Sequence, residues 1–352
     1  MKKFLLKKIP VFIIFGLLLI VSIALSLIHI KYEVVAPYKI NDVKNVISVD
    51  DGYSQSGSFN TTSVLHSSKV SIYQYLISKL SPATLSYKSS NIVDLTSNRN
   101  YNSGSIQKSV SITDSIIIAY KKAGVQIEYE YLGIIVETVS VYTPVDINVG
   151  DVITKVNGVS FNNNEEFLTL YNAYRTSSDC YDEETKKFTI PLTINGKDVD
   201  VVTNYYSTYE NQKIPYLGFY HYDYYKINYD TLNPKISLYT TSTGGPSGGL
   251  MQALSIFNQL MEFDYTYGMK IAGTGTIDVD GNVGEIGGMY SKIFTAYFNK
   301  VKIFFVPYKV DMTSNYDEAM EAYKALGSPK SLKIVPVTTI DDAIIYLKGL
   351  GD

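Results

Sequence analysis

The most apolar part of the chain lies near its N-terminus, where the run from Val11 to Ile30 contains no charged residue. A helix of about twenty residues spans roughly 30 Å, the thickness of the hydrocarbon core of a bilayer. Four lysines precede the run and a large body follows it, which predicts a single-pass anchor in the cell membrane with a cytoplasmic N-terminus and an extracytoplasmic body. The alternative is a cleaved signal peptide, but Lys31–Val34 offers no small-residue cleavage pattern.

Beyond this run, short alternating patterns predict strands and longer periodic patterns predict helices. Val46–Val49 and Gly57–Val64 have the alternation of strands around a turn-rich loop. Ile72–Leu80 and Ser109–Ala123 have the spacing of amphipathic helices, and the polar segment Ser86–Gly104 between them is expected to be mobile. Nothing in these patterns alone indicates a function.

One serine stands in a glycine-rich stretch just where a helical pattern begins. Gly244–Gly249 contains Ser247 and is followed by apolar residues at helical spacing, namely Leu250, Leu254, Phe257 and Met261. A helix N-terminus supplies free N–H groups and a positive potential, and glycines let a substrate backbone approach closely. These features suit a nucleophilic serine, although such turns also serve as anion sites or as plain turns.

A nucleophilic serine needs a base, and the composition leaves few choices. Of the three histidines, His66 and His221 lie outside the apolar run and leave a Ser-His-Asp triad open. The single cysteine, Cys180, lies in a polar loop and has no evident partner. Lysine is the other common base for serine, provided that burial lowers its pKa.

Lys292 is the lysine that fits this requirement. It follows a Gly287-Gly288 break and shares a helical face with Met289 and Ala296, so an apolar surrounding is expected to disfavour its charged form. The alternative is a lysine whose stem covers apolar surface while its ammonium group stays in water.

Three segments around these residues together resemble the proteolytic domain of Lon-type serine proteases: Gly245–Leu250, Lys270–Ile277, and Gly281–Gly288 followed by Lys292. The resemblance continues through Leu332–Leu350. It implies that Ser247 is the nucleophile, that Lys292 is the general base, and that the hydroxyl of Thr274 helps to orient the lysine, with Gly245 and Gly248 in the oxyanion-hole loop.

Two departures from that family are visible in the sequence. The family often has a second lysine or an acidic residue two places before the base, where this chain has Tyr290, a difference that bears on the local field of the site. Soluble Lon enzymes carry an ATPase motor, but the sequence contains no Gly-x-x-x-x-Gly-Lys-Ser/Thr phosphate loop. Cleavage is therefore expected to need no ATP.

The middle of the chain resembles a PDZ domain. Gly150–Gly158 matches a strand with its Asn-Gly turn, and Asn164–Tyr174 has helical spacing. The resemblance implies that a carboxylate-binding loop opens a peptide groove, and that the strand after the loop pairs with the peptide. That loop would consist of Tyr131, Leu132, Gly133 and Ile134. The alternative is a domain that acts only as a structural gate.

From end to end, the chain is similar to membrane-anchored, PDZ-containing Lon-type serine proteases, including bacterial pheromone-processing members of that family. The expected fold class is α/β (α+β): a Lon-type proteolytic domain with an inserted, mostly-β PDZ domain and one N-terminal transmembrane helix. The expected parts are a basic tip and anchor at residues 1–30, an extracytoplasmic region packing on the catalytic domain at 31–124, the PDZ domain at 125–200, and the proteolytic domain at 201–352.

The expected function is cleavage of exported peptides or membrane-associated proteins by a Ser-Lys dyad, with the PDZ domain for recruitment or gating. The expected partners are such substrates on the outer face and the membrane; a homo-oligomer is left open, and no cofactor or metal is expected. The net charge of −3, with no basic tract beyond the N-terminal lysines, argues against nucleic acid. The competing interpretation is a catalytically silent PDZ scaffold at the membrane surface.

The aromatic run Phe219–Tyr225 offers one further alternative. Closely spaced aromatic residues suit a strand or loop that packs on the core, whereas a carbohydrate-binding platform is the functional interpretation.

Overall fold

The computed structural model describes residues 9–87, 97–209, 212–241, 243–309 and 314–351, and the four N-terminal lysines lie outside these ranges. Within them the chain is a mixed α/β protein. Its helices are α1 (Ile9–Leu27), α2 (Ile72–Ser78), α3 (Ser97–Ala123), α4 (Asn164–Arg175), α5 (Gly249–Leu260), α6 (Met289–Phe298), α7 (Asn315–Ala325) and α8 (Ile340–Lys348).

The strands are short and fall into two large sheets and several two-stranded ones. They are β1 (His29–Ile30), β2 (Tyr32–Asp42), β3 (Ile47–Val49), β4 (Ser58–Ser67), β5 (Val70–Ser71), β6 (Thr84–Tyr87), β7 (Tyr129–Val139), β8 (Val152–Val156), β9 (Val159–Ser160), β10 (Tyr181–Asp182), β11 (Lys187–Ile194), β12 (Lys197–Thr203), β13 (Tyr206–Tyr209), β14 (Gln212–Pro215), β15 (Phe219–Ile227), β16 (Ile236–Leu238), β17 (Lys270–Gly273), β18 (Thr276–Ile277), β19 (Val283–Gly284), β20 (Ile303–Pro307) and β21 (Lys333–Val337).

The first large sheet has the strand order β21-β20-β17-β4-β2-β6, with parallel pairing from β21 to β4 and antiparallel pairing from β4 to β6. Side chains alternate across it, as in any strand: Ile303 and Phe305 pack with α3, α5 and α8, whereas Phe304 and Val306 pack with α6 and α7. The region before residue 124 therefore supplies three of the six strands and one covering helix.

The second large sheet has the order β10-β11-β8-β7-β15, with β12 on β11 and β9 on β8. Its buried side chains form a core of their own, into which α4 inserts Phe167. The Asn157-Gly158 turn joins β8 to β9 with positive φ at both residues, as the sequence predicts for a hairpin. The sheet extends beyond residue 200, because β15 runs along the whole of β7.

The predicted transmembrane helix over Val11–Ile30 is wrong. Among the described residues, no helix is long and apolar enough to cross a membrane. The reason is that the helix ends at Leu27, while His29 and Ile30 leave it to pair with β5.

Helix α3 begins twelve residues before the predicted start at Ser109, so Ser97–Gly104 is helical rather than part of a mobile segment; residues 88–96 lie outside the described ranges. Residues 97–104 show no apolar helical period, and polar contacts hold this end of the helix instead. The Ser103 hydroxyl lies 3.0 Å from the Thr138 hydroxyl on β7, and Gln107 donates to Glu137.

Asp114 on α3 is a buried carboxyl group. It is 8% exposed, and its Oδ1 atom is buried with no hydrogen-bond partner among the described residues. Burial raises its pKa well above the usual 3.8, and the nearby charges of Asp278 and Asp223 raise it further. The folded chain therefore binds this proton more tightly than the unfolded chain does.

Replacing Asp114 with asparagine should stabilise the protein at neutral pH by about 1–3 kcal/mol, because the amide keeps the shape of the side chain without its charge. The contribution of Asp114 to the stability of the wild type is greatest below pH 3.8, and it falls as the pH rises through the raised folded-state pKa. Denaturant unfolding at a series of pH values measures both effects, with the exposed Asp146→Asn as the matched control. A variant less stable than wild type at neutral pH would contradict the prediction.

Candidate active site

Ser247 lies in the turn that leads into α5, at the carboxyl end of the parallel part of the first sheet. Gly249 at the start of α5 has no room for a side chain, because a Cβ there would lie 2.9 Å from the backbone nitrogen of Ile277 and from Ser111 Oγ. Leu250 and Leu254 of α5 are fully buried. The helix is thus fixed against the core, and the serine at its N-terminal end is held at the wall of a cleft of about 610 Å³.

Lys292 reaches the same point from α6, on the opposite face of the sheet. Gly288 precedes this helix with a φ of +74° and packs against Val35 and Val64, so a side chain there would be both strained and crowded. Lys292 is 2% exposed, and its Nζ lies 2.9 Å from Ser247 Oγ. The structure therefore brings together the two residues to which the sequence assigned nucleophile and base.

Thr274 completes the contact between them. It is fully buried, and its hydroxyl lies 2.8 Å from Lys292 Nζ and 2.9 Å from the carbonyl oxygen of Ser247. The hydroxyl has one proton, which it donates to that carbonyl, so it is left as an acceptor for the lysine amine. This arrangement points the lone pair or the proton of Nζ toward Ser247 Oγ.

Burial lowers the pKa of Lys292 from 10.5 to about 7, while the carboxylate of Glu318 acts weakly in the opposite direction. Glu318, which lies on α7, also accepts the backbone N–H of Tyr290. A substantial fraction of Lys292 is neutral near pH 7, as a general base requires.

The backbone around Ser247 presents free donors. The Ser247 carbonyl accepts from Gly275 N–H at 3.0 Å as well as from Thr274, whereas the N–H groups of Ser247 and Gly248 have no acceptor within the described residues. Gly245, with a φ of +91°, donates its own N–H to Gly104. N–H groups without an acceptor beside a serine hydroxyl are candidate donors to an oxyanion.

One edge of β4 borders the cleft. Ser58 N–H donates to Met269, so the backbone groups of alternate residues from Ser58 to Val64 face the β17 side. Strand β17 ends at Gly273, opposite Thr61. Beyond that point no strand of the described residues pairs with the backbone groups of Val64 on this side, and Thr61–Leu65 line the cleft. An extended peptide could pair with this edge.

The other candidate nucleophile and bases lie elsewhere. His66 is exposed and lies 3.4 Å from Glu33, and His221 is half-buried in β15, where its Nε2 lies 2.7 Å from the side-chain oxygen of Asn164. Burial lowers the pKa of His221 to about 4 and raises that of Cys180. Among the described residues, no group of three or more His, Cys, Asp or Glu side chains could hold a metal ion.

The predicted peptide groove is filled by the chain itself. Tyr131, Leu132, Gly133 and Ile134 lie within β7, whose edge pairs with β15 in antiparallel register from Tyr129 to Val139. Strand β15 also contacts α4, because the His221 side chain meets both Asn164 and the ring of Phe167. An external peptide could pair with β7 at this edge only if β15 left it. The aromatic run Phe219–Tyr225 is thus a strand, as the packing interpretation expected.

Helix α3 contributes to this site in a way that the sequence patterns did not predict. Ser111 Oγ donates to the Pro246 carbonyl at 3.0 Å, and Ser115 Oγ lies 3.0 Å from the Gly249 carbonyl oxygen. Both serines are buried. The available signal was two serines four positions apart in a segment of helical spacing, which places them on one face of the helix.

Compared with known protein families and with curated proteins, the chain matches none. Its function must therefore be argued from the Ser247 site.

Proposed function

We propose that the protein is a serine endopeptidase of the Lon type that cleaves peptides by a Ser-Lys dyad and needs no ATP. The observation that carries the proposal is the contact between Ser247 Oγ and Lys292 Nζ at 2.9 Å, made by a lysine that is 2% exposed and whose pKa burial lowers to about 7. A neutral buried amine beside a cleft serine has the geometry of a nucleophile with its base.

In the proposed reaction, neutral Lys292 takes the Ser247 proton while Oγ attacks the substrate carbonyl carbon. The N–H groups of Ser247 and Gly248 stabilise the resulting oxyanion. The protonated lysine then gives its proton to the leaving amine, and the C–N bond breaks to leave an acyl-enzyme. Lys292 next takes a proton from the water that attacks the ester, and it returns this proton to Ser247 Oγ as the bond between the acyl carbon and Oγ breaks and the acid is released. Thr274 keeps the amine aimed at Oγ throughout.

The cleft supports an extended peptide as the substrate. The free edge of β4 at Val64 offers main-chain pairing, which is independent of side chains and holds a chain in a β conformation. The Glu285–Gly287 segment lines the same cleft, and a side chain at Gly287 would meet nothing within 4 Å. A folded globular substrate would have to present a segment that can enter this space.

We propose that the second large sheet belongs to a PDZ domain. Because β15 already pairs with the edge of β7, gating is better supported than substrate recruitment as the role of this domain. Its groove already holds β15, and β15 continues toward the Ser247 loop through β16. A silent scaffold that recruits partners through this groove would first have to release its own strand.

The test uses the purified full-length chain, without ATP, and a library of peptides of defined sequence. New termini are followed by mass spectrometry, and intact-mass measurement after brief mixing with an activated ester detects acylation of the protein. We expect peptide cleavage, together with an acyl adduct on Ser247. Absence of both products would favour the silent scaffold.

A further inference from the structure

Two hydrogen bonds hold the peptide plane between Pro246 and Ser247, and one of them comes from a residue outside the catalytic motifs. The Pro246 carbonyl accepts a hydrogen bond from Ser111 Oγ at 3.0 Å and one from Gly249 N–H at 3.2 Å. Because a trans peptide is planar, its carbonyl and its N–H point in opposite directions. Fixing the Pro246 carbonyl therefore also fixes the direction of the Ser247 N–H.

That N–H is one of the two donors assigned above to the oxyanion hole. The second, Gly248 N–H, belongs to the plane whose carbonyl is held by Thr274 and Gly275. The direction of each donor N–H is thus set by two hydrogen bonds that the carbonyl oxygen of the same peptide plane accepts. For the Gly248 plane both come from the segment after β17; for the Ser247 plane one comes from Ser111 on α3.

From this geometry we infer that Ser111 is a positioning residue for the proposed peptidase reaction, an inference that depends on the proposed function. Its hydroxyl orients the Ser247 N–H toward the developing oxyanion and does not touch the substrate. Correct donor placement matters because a donor lowers the barrier only if it already points to where the charge forms.

The surroundings of Ser111 favour this role. The side chain is 3% exposed and lies where α3 approaches α5 closely, since a Cβ at Gly249 would lie 2.9 Å from Ser111 Oγ. The Ser111 carbonyl accepts from Ser115 Oγ at 2.5 Å, so the turn that presents the hydroxyl is itself braced. Gly104, seven residues earlier on α3, accepts the Gly245 N–H at 3.0 Å, and the loop is held at a second point.

The test compares four full-length proteins: wild type, Ser111→Ala, Ser111→Thr, and the matched control Ser109→Ala on the exposed side of α3. Each is assayed for kcat and KM on a cleaved peptide and for its pH profile. Each is also titrated with a peptide boronate, which adds to the serine as a tetrahedral anion, and with the corresponding cleaved product.

We expect Ser111→Ala to lower kcat and boronate affinity by about 10- to 100-fold, with KM, product affinity and the midpoint of the pH profile unchanged. Ser111→Thr should restore most of the loss because it keeps the hydroxyl. Should Ser111→Ala not fold, Ser111→Cys keeps the volume with a weaker donor and should show a partial loss of the same kind.

Two results separate failure of this inference from failure of the proposed function. An active wild type with Ser111→Ala equal to Ser109→Ala, or with equal losses of boronate and product affinity, overturns the inference alone. A wild type that neither cleaves peptides nor forms a boronate adduct on Ser247 overturns the proposed function and this inference with it.

Discussion

Replacing Ser247 with alanine should lower kcat on a cleaved peptide by about 10⁴-fold or more. Removal of the nucleophile from serine proteases costs on the order of 10⁴- to 10⁶-fold, and the remainder comes from the oxyanion hole and from substrate binding. Substrate affinity should change little, because the β4 edge and the loop N–H groups are left in place. Steady-state kinetics and equilibrium binding of the same peptide measure the two effects separately.

The fold should tolerate this change. Ser247 is partly exposed, and Lys292 keeps its hydrogen bond to Thr274 when the serine hydroxyl is lost. Thermal unfolding should therefore match that of Ser331→Ala, an exposed serine before β21 that serves as the matched control. Activity in Ser247→Ala within tenfold of wild type would mean that another group is the nucleophile.

The sequence predicted the Ser247 turn and the Lys292 helix separately, because neighbouring residues encode each of them. Glycines before a helical pattern located Ser247, and a lysine on an apolar helical face located Lys292; the structure places their reactive atoms 2.9 Å apart. That these two helices cover opposite faces of one sheet depends on strand order. Strand order in turn depends on β4, which lies about two hundred residues earlier and has no pattern linking it to β17.

The remaining differences have similar causes. An antiparallel strand shows which residues alternate but not which edge it joins, so the aromatic pattern of β15 could not reveal that it fills the edge of β7. The apolar run at the N-terminus did not show where its helix ends, because His29 and Ile30 leave it through pairing with a later strand. The N-terminal half of α3 was missed because polar contacts with β7 hold it.

Replacing Lys292 with methionine should also abolish turnover, again by about 10⁴-fold or more, because the Ser247 proton then has no acceptor. Methionine is close in length to the lysine stem and is apolar, so the buried site should accept it. Lys292→Arg should be equally inactive, since a guanidinium stays protonated at any working pH. Lys324→Met, at the exposed C-terminal end of α7, is the matched control.

The pH dependence separates a general base from a structural lysine. Because burial lowers the pKa of Lys292 to about 7, kcat/KM of the wild type should rise about tenfold per pH unit below 7 and level off above it. Stability should change in a related way: between pH 7 and 10.5 the unfolded chain binds this proton more readily, so the free energy of unfolding rises with pH there. Lys292→Met should lose that rise and be the more stable protein below pH 7. An activity profile with its midpoint near 10 would mean that Lys292 is solvated in the working enzyme, and the proposed mechanism would fail.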